Sequence, residues 1–360
     1  MGARTRGLAN NVLTSGKLDA TDAVSGVIPA SNIANASLTN TNSYGSVTGG
    51  VPQVASDPPS PAEGDIWYNT TTGQIKFRTQ LGSWASGGNM NTARRDLVGG
   101  GTQTSAIAAS GYTGAYSTAS ESYDGSTWTS TPSINASKYL AGGAGTSNTS
   151  AVIFGGETST AILADTELWN GSSWTEVNNM NQQRENLFGI GTTTSALGFG
   201  GYYTPNTVTG ATESWDGTNW TAVSALNTVR SGAAGAGATN TAAIAFSAGA
   251  PGTITELWNG STWTEVNDLN TSRNSGAGAG TSTSALAIGG YTPPGGITAT
   301  ESWDGTSWTT STSKTLGVFQ NFGAGTSTSA LSAGGATTSN PALTNSTEEW
   351  IFGATTTIVG

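Results

Sequence analysis

The ten residues Thr212-Glu213-Ser214-Trp215-Asp216-Gly217-Thr218-Asn219-Trp220-Thr221 recur along the chain, and that recurrence restricts the fold more than any other feature. Related stretches begin at Ser120, Thr166, Thr255 and Thr300, and a shortened one, Thr347-Glu348-Glu349-Trp350, comes last. Their glutamates are 46, 46, 43, 45 and 47 residues apart. A period of this size belongs to propellers, solenoids and arrays.

Aligned on the second tryptophan, the repeat has Trp84, Trp128, Trp174, Trp220, Trp263 and Trp308 in register. Ten residues on stand Arg94, Lys138, Arg184, Arg230 and Arg273, with Val318 breaking the series, and glycine follows seventeen residues after every tryptophan. Further on comes a small pair: Ser110-Gly111, Gly155-Gly156, Gly200-Gly201, Ala248-Gly249, Gly289-Gly290 and Gly334-Gly335. Each unit reads as four short strands. Strand a is the Gly-Ala-Gly stretch, and strand b is the apolar run before the small pair, such as Ala151-Val152-Ile153-Phe154. Strand c is Thr-Glu-x-Trp, and strand d is centred on the second tryptophan. Asp-Gly or Asn-Gly between c and d supplies the positive φ that a tight hairpin requires.

Four antiparallel strands repeated six times predict an all-β, six-bladed propeller. The ends complement one another: Leu81-Gly82-Ser83-Trp84 is a strand d with no a–b pair before it, and the last unit lacks a strand d. Their union closes the ring without an exposed edge. Seven blades remain open if 64–86 and 347–360 build one more.

Composition narrows the chemistry. A formal charge of -10 opposes a nucleic-acid groove, which needs a basic stripe. With no cysteine and no histidine, thiol chemistry, Cys-based zinc sites and the commonest general base are excluded. No cofactor and no metal are expected. No apolar run is long enough to span a membrane, and no signal-peptide core follows Met1-Gly2-Ala3-Arg4.

Residues 1–62 are too lean in apolar side chains to fold alone, which predicts an extended anchoring arm ordered by a partner. Leu8, Ile28 and Ile33 are among its few large apolar residues, and Ser56-Asp57-Pro58-Pro59-Ser60-Pro61 reads as a stiff linker. Residues 64–78 read as two strands about a turn, with Ile75 and Phe77 alternating against polar neighbours. The domain boundary falls at 62/63, with the propeller over 63–360.

The glycine pair, the two tryptophans and the Asn-x-x-Arg of Asn227-Thr228-Val229-Arg230 together resemble the kelch repeat, over residues 84–350. The segment Pro58 to Trp84 resembles one found in tail-fibre and other virion proteins of tailed bacteriophages. The arm, with Arg4, Arg6 and Leu8 in one motif and Ile28 to Ile33 in another, resembles arms of marine phage structural proteins. The resemblance implies a virion location, several copies, and other virion proteins as partners of residues 1–62.

The repeat also assigns roles. One tryptophan per position per blade points to packing between sheets rather than sugar stacking. Glutamate precedes the basic position by 17 residues in four units, which predicts structural ion pairs Glu121–Lys138, Glu167–Arg184, Glu213–Arg230 and Glu256–Arg273. Topology places the b–c and d–a connections on one face and the a–b and c–d turns on the other. The b–c loops vary in length and carry Tyr112, Tyr116, Tyr202, Tyr203, Asn206, Tyr291 and Asn340. Such residues on a rigid scaffold suit a polar, sugar-like surface; merely tolerated insertions would look the same.

Three functions follow. The first is a non-enzymatic virion protein of tail-fibre type that presents the propeller to a host-surface glycan or receptor. The second is a head or tail decoration protein that braces its neighbours. The third, a polysaccharide-degrading enzyme, needs a carboxylate pair in a cleft, whereas the acids here mostly follow the blade period.

Overall fold

The computed structural model describes residues 52–58, 66–77, 82–203, 207–249, 251–337, 342–352 and 358–359. The arm residues Arg4, Arg6, Leu8, Ile28 and Ile33, and the loop residues Asn206 and Asn340, lie outside them. The chain divides into two compact units, 82–352 and a second made of 1–81 with 353–360. The boundary expected at 62/63 therefore moves to 81/82. The cause is strand pairing: the hairpin Ile66–Asn69 and Gln74–Phe77 finds its next strand in Ile358–Val359, within the second unit.

That smaller sheet begins with Gln53–Val54, parallel to Ile66–Asn69. Its polar centre is Asp57, which accepts from Trp67 Nε1 (2.9 Å), Asn69 Nδ2 (2.7 Å) and Lys76 Nζ (2.7 Å). The bond from Lys76 holds the Asp57 carboxyl down at about 2. Trp67 and Lys76 are cross-strand partners and both are buried, whereas Ile75 is only half-buried. The alternation expected from Ile75 is thus reversed, because Asp57 gives the buried lysine a charged partner.

Residues 82–352 form six four-stranded antiparallel sheets. The third is representative: strand a Phe188–Thr192, strand b Ser195–Phe199, strand c Thr212–Trp215 and strand d Trp220–Val223, in that order across the sheet. The sixth takes a, b and c from Phe322–Gly325, Ser329–Ala333 and Thr347–Phe352, and its d from Gly82–Ser86, with Trp84 opposite Trp350. Residues 82–86 and 347–352 therefore complete the sixth sheet rather than begin a seventh. The six a strands neighbour one another in order, and Phe322–Gly325 lies beside Val98–Thr102, so the ring is closed.

Each strand has its own reason for its composition. Strand b is covered on both faces by adjacent sheets, hence uninterrupted runs such as Ala151-Val152-Ile153-Phe154, all fully buried. Strand a lies around the axis, and at its glycines the neighbouring backbone comes too close for a side chain. A Cβ on Gly278 would lie 2.0 Å from the Gly235 carbonyl oxygen of the neighbouring a strand. The tryptophans pack between sheets as the repeat predicts; Trp220, for instance, stacks edge-on against Phe154 of the sheet before it (4.6 Å).

The small pair after strand b is the hinge between sheets. Both residues take positive φ in every sheet, and the second donates its N–H to the carbonyl at or beside the next basic position, as Gly156 does to Arg184 (2.8 Å) and Gly201 to Arg230 (2.9 Å). In the fourth sheet the residues in this role are Ser247 and Ala248 (φ 65 and 59), one position earlier than the Ala248-Gly249 read from the sequence. Glycine identity misled there, since strand b already ends at Phe246.

A second ring of left-handed residues lies at the mouth of the axis: Asp96, Leu140, Asn186, Gly232, Ser275 and Gln320, with φ between 51 and 67. Their backbones join head to tail, with N–H bonds from Asn186 to Leu140, Gly232 to Asn186, Ser275 to Gly232, Gln320 to Ser275 and Asp96 to Gln320, at 2.6–3.0 Å.

Candidate functional site

The basic residues sit on the chain leading into each strand a, and the glutamates near the start of strand c. Their pairing differs from the expected one. Arg94 pairs with Glu121 (3.1 Å), Lys138 with Glu167 (3.2 Å), Arg184 with Glu213 (3.0 Å), Arg230 with Glu256 and Arg273 with Glu301. None of the expected pairs Glu121–Lys138, Glu167–Arg184, Glu213–Arg230 or Glu256–Arg273 forms, although every residue named is in an ion pair. The reason is geometric: by the basic position the chain has already crossed to the following sheet, so it meets that sheet's own strand c.

These pairs are buried frameworks rather than sites. Arg184 spends Nη1 on the carbonyls of Gly200 (3.0 Å) and Ala211 (2.6 Å) and Nη2 on Glu213. Glu213 in turn accepts from the backbone and side chain of Asn181 (2.7 and 2.9 Å). The Asn-x-x-Arg motif is thus a clamp on one carboxylate, and burial lowers the Arg184 pKa against the pull of Glu213. Where Val318 interrupts the series, Lys314 substitutes from four residues earlier, bonding Glu348 (2.8 Å) and Ser332 (2.7 Å).

The b–c and d–a connections emerge together on one face of the ring. The c–d turns of the other face are all four residues long, whereas the b–c connections run from eight residues (247–254) to thirteen (334–346). On the loop face, the residue after each basic position pairs with the b–c loop of its own sheet: Arg95 with Tyr112, Tyr139 with Glu157, Glu185 with Tyr202 and Asn274 with Tyr291. Two backbone bonds make each of these four bridges rigid, as in Tyr202 N–H to Glu185 (2.8 Å) and Glu185 N–H to Tyr202 (3.0 Å). Tyr112, Tyr116, Tyr202, Tyr203 and Tyr291 are all half-buried here.

They fall into separate groups. Tyr112 and Tyr116 meet Tyr139, which the sequence reading missed, with ring centroids 4.9–6.2 Å apart, and Arg95 lies over Tyr112 (5.1 Å). Tyr116 Oη donates to Glu157 (3.3 Å). Burial, then hydrogen bonding to Glu157 and its charge, raise Glu185 to about 8. Burial pushes Asp96 up to about 7 against the attraction of Arg95. Burial and Glu157 also raise the Tyr139 and Tyr116 hydroxyls. Elsewhere Tyr291 packs edge-on against Phe319 (5.1 Å), and Tyr202 borders a depression over the fourth sheet.

Arg95, Tyr139, Glu185, Ser231, Asn274 and Phe319 share one register of the repeat, immediately after the basic residue or its Val318 equivalent. A position fixed in space and unlike itself in every copy is the signal that marks them. The axial cavity, about 170 Å³, is walled mainly by glycine and alanine. Among the described residues, no group of three or more acidic side chains is placed to hold a metal ion, and no helix is long and apolar enough to cross a membrane.

No family model and no curated protein matches the chain. Among solved structures it is similar to that of YjhT, with a TM-score of 0.61 at 14% identity over 72% of this chain and 95% of that one. The repeated antiparallel sheets and this likeness define the fold as an all-β propeller.

Proposed function

We propose that this chain is a non-enzymatic virion protein that presents its propeller to a host-surface glycan or receptor. The observation that carries the reading is the difference between the two faces of the ring. The turn face is uniform, and both ends of the propeller unit, Gly82 and Phe352, lie there opposite one another. The loop face is variable, backbone-braced and furnished with tyrosines. A tether at one face and recognition at the other is the layout of an attachment protein. The phage setting rests on the resemblance of residues 1–84 to virion proteins.

Two observations disfavour an enzyme. The acids of strand c are spent on buried arginines and lysines. Glu157 and Glu185, which stand outside the blade period, are built into the loop-face bracing through backbone bonds to Tyr139 and Tyr202 and, for Glu157, the Tyr116 hydroxyl (3.3 Å), whereas glycoside hydrolysis needs a carboxylate pair in a cleft.

The test is binding of the fluorescently labelled full chain to a glycan array and to intact bacteria. Saturable binding supports attachment. Binding to neither surface, with binding to purified phage capsids or tails, assigns the bracing role. Release of sugar fragments from a bound polysaccharide would establish the enzyme.

A further inference from the structure

We propose that the depression over the fourth sheet is a subsite for a neutral, hydroxyl-rich sugar ring, an inference that rests on the recognition reading above. The fourth sheet has the shortest b–c connection, 247–254. The third and fifth sheets carry two-stranded hairpins in the same place, at Tyr202–Val208 and Tyr291–Gly296. Omitting one hairpin between two others leaves a cavity of about 480 Å³, within the size range of small-ligand sites.

The omission also leaves hydrogen-bonding capacity unspent. In the fourth sheet the residue after the basic position is Ser231, and it has no loop partner, unlike Arg95, Tyr139, Glu185, Asn274 and Phe319. Among the described residues its backbone N–H and C=O have no backbone partner, and Ser231 lines the cavity. The side chains of Asn186, Tyr202, Asn274 and Ser275, which line the same cavity, also make no hydrogen bond among the described residues. Amide and hydroxyl groups of this kind both donate and accept, as sugar hydroxyls do. Val208 and Val229 supply apolar surface for the C–H face of a ring, and Val229 is 55% exposed.

Charge selects the ligand class. Among the described residues Arg230 is the one charged residue lining the cavity, and its guanidinium is committed to Glu256 and the carbonyls of Thr228, Ser247 and Ile254. A ligand carboxylate or phosphate would find no free cation, and an amine no free carboxylate. The match is to a neutral hexose or N-acetylhexosamine unit.

Saturation-transfer NMR on the full chain would use methyl glycosides of glucose, galactose, mannose and N-acetylglucosamine, with glucuronate and N-acetylneuraminate as acidic probes. Asn274→Ala and Val229→Asp change exposed side chains and keep the fold, checked by circular dichroism, and Thr218→Ala, exposed in a c–d turn of the opposite face, is the distant control. A neutral probe should bind, with affinity falling about five- to tenfold in N274A, the loss of roughly one hydrogen bond, and unchanged in T218A. If the full chain binds cells or arrays but N274A and V229D bind equally well, or if only acidic probes bind, the subsite is overturned while the recognition reading stands. If the full chain binds no sugar and no surface, both fall.

Discussion

Single hydrogen bonds across the seams between sheets give the sharpest tests at the residue scale. The second tryptophan of a sheet donates Nε1 to the threonine that begins strand c of the sheet before it: Trp220 to Thr166, Trp263 to Thr212, Trp308 to Thr255, Trp84 to Thr300 and Trp128 to Thr347, at 2.9–3.2 Å. At the remaining seam the threonine is replaced by Ser120, and both Ser120 Oγ and Trp174 Nε1 are buried without a partner. A β-branched side chain restricts χ1, so Ser120→Thr should fix the hydroxyl on Trp174 and stabilise the protein by about 0.5–1.5 kcal/mol, read as a higher urea midpoint. Thr166→Ala should cost about 1–3 kcal/mol by orphaning Trp220. Glu213→Gln should cost about 3–5 kcal/mol, because it strands Arg184 in the interior, and Glu213→Gln with Arg184→Met should cost less than Glu213→Gln alone. The spacing of Glu213 and Arg184 made them legible as paired charges. Their true partners were not, since sequence distance says nothing of when a chain crosses from one sheet to the next.

Strands and loops of the propeller differ in what they tolerate. At Gly278 of strand a there is no room at all: Gly278→Ala sets a methyl 2.0 Å from the Gly235 carbonyl oxygen, and should destabilise by at least about 1–3 kcal/mol, lowering the melting temperature without altering loop-face binding. The loops carry the pH response. Asp96 and Glu185 have native pKa values of about 7 and 8, above their ordinary 3.8 and 4.5. The folded state therefore holds more protons than the unfolded one across that interval, and stability falls as pH rises from about 4.5 to 8. Melting curves from pH 5 to 8.5 should show the decline, and Asp96→Asn with Glu185→Gln should flatten it. On the acid side, Asp124, Asp216 and Asp304 accept backbone N–H bonds in the c–d turns, which depress their pKa values, so that contribution fades only as the pH falls through those lowered values. The strands were legible because a β-ladder repeats its chemistry. The loop cluster was not, because Tyr139 and Glu185 occupy one register with different side chains, and a search for sameness passes over them.

For the molecule as a whole, the ring and its closure were legible from the incomplete first and last repeats, while the edge of the unit was not. Residues 66–77 look like one more blade fragment, and only their pairing with Ile358–Val359 assigns them elsewhere. That assignment leaves Phe352 directly across from Gly82, at the end of the sheet where every other c–d pair has a four-residue turn. The propeller accordingly has no intrinsic first blade. A circular permutant in which an Asp-Gly-Ser-Thr bridge joins 352 to 82, and the chain is cut at the Asp216–Asn219 turn instead, should fold to the same closed ring. Its circular dichroism spectrum should match that of residues 82–352, and an altered spectrum or loss of cooperative melting would show that the position of the chain ends matters to the fold.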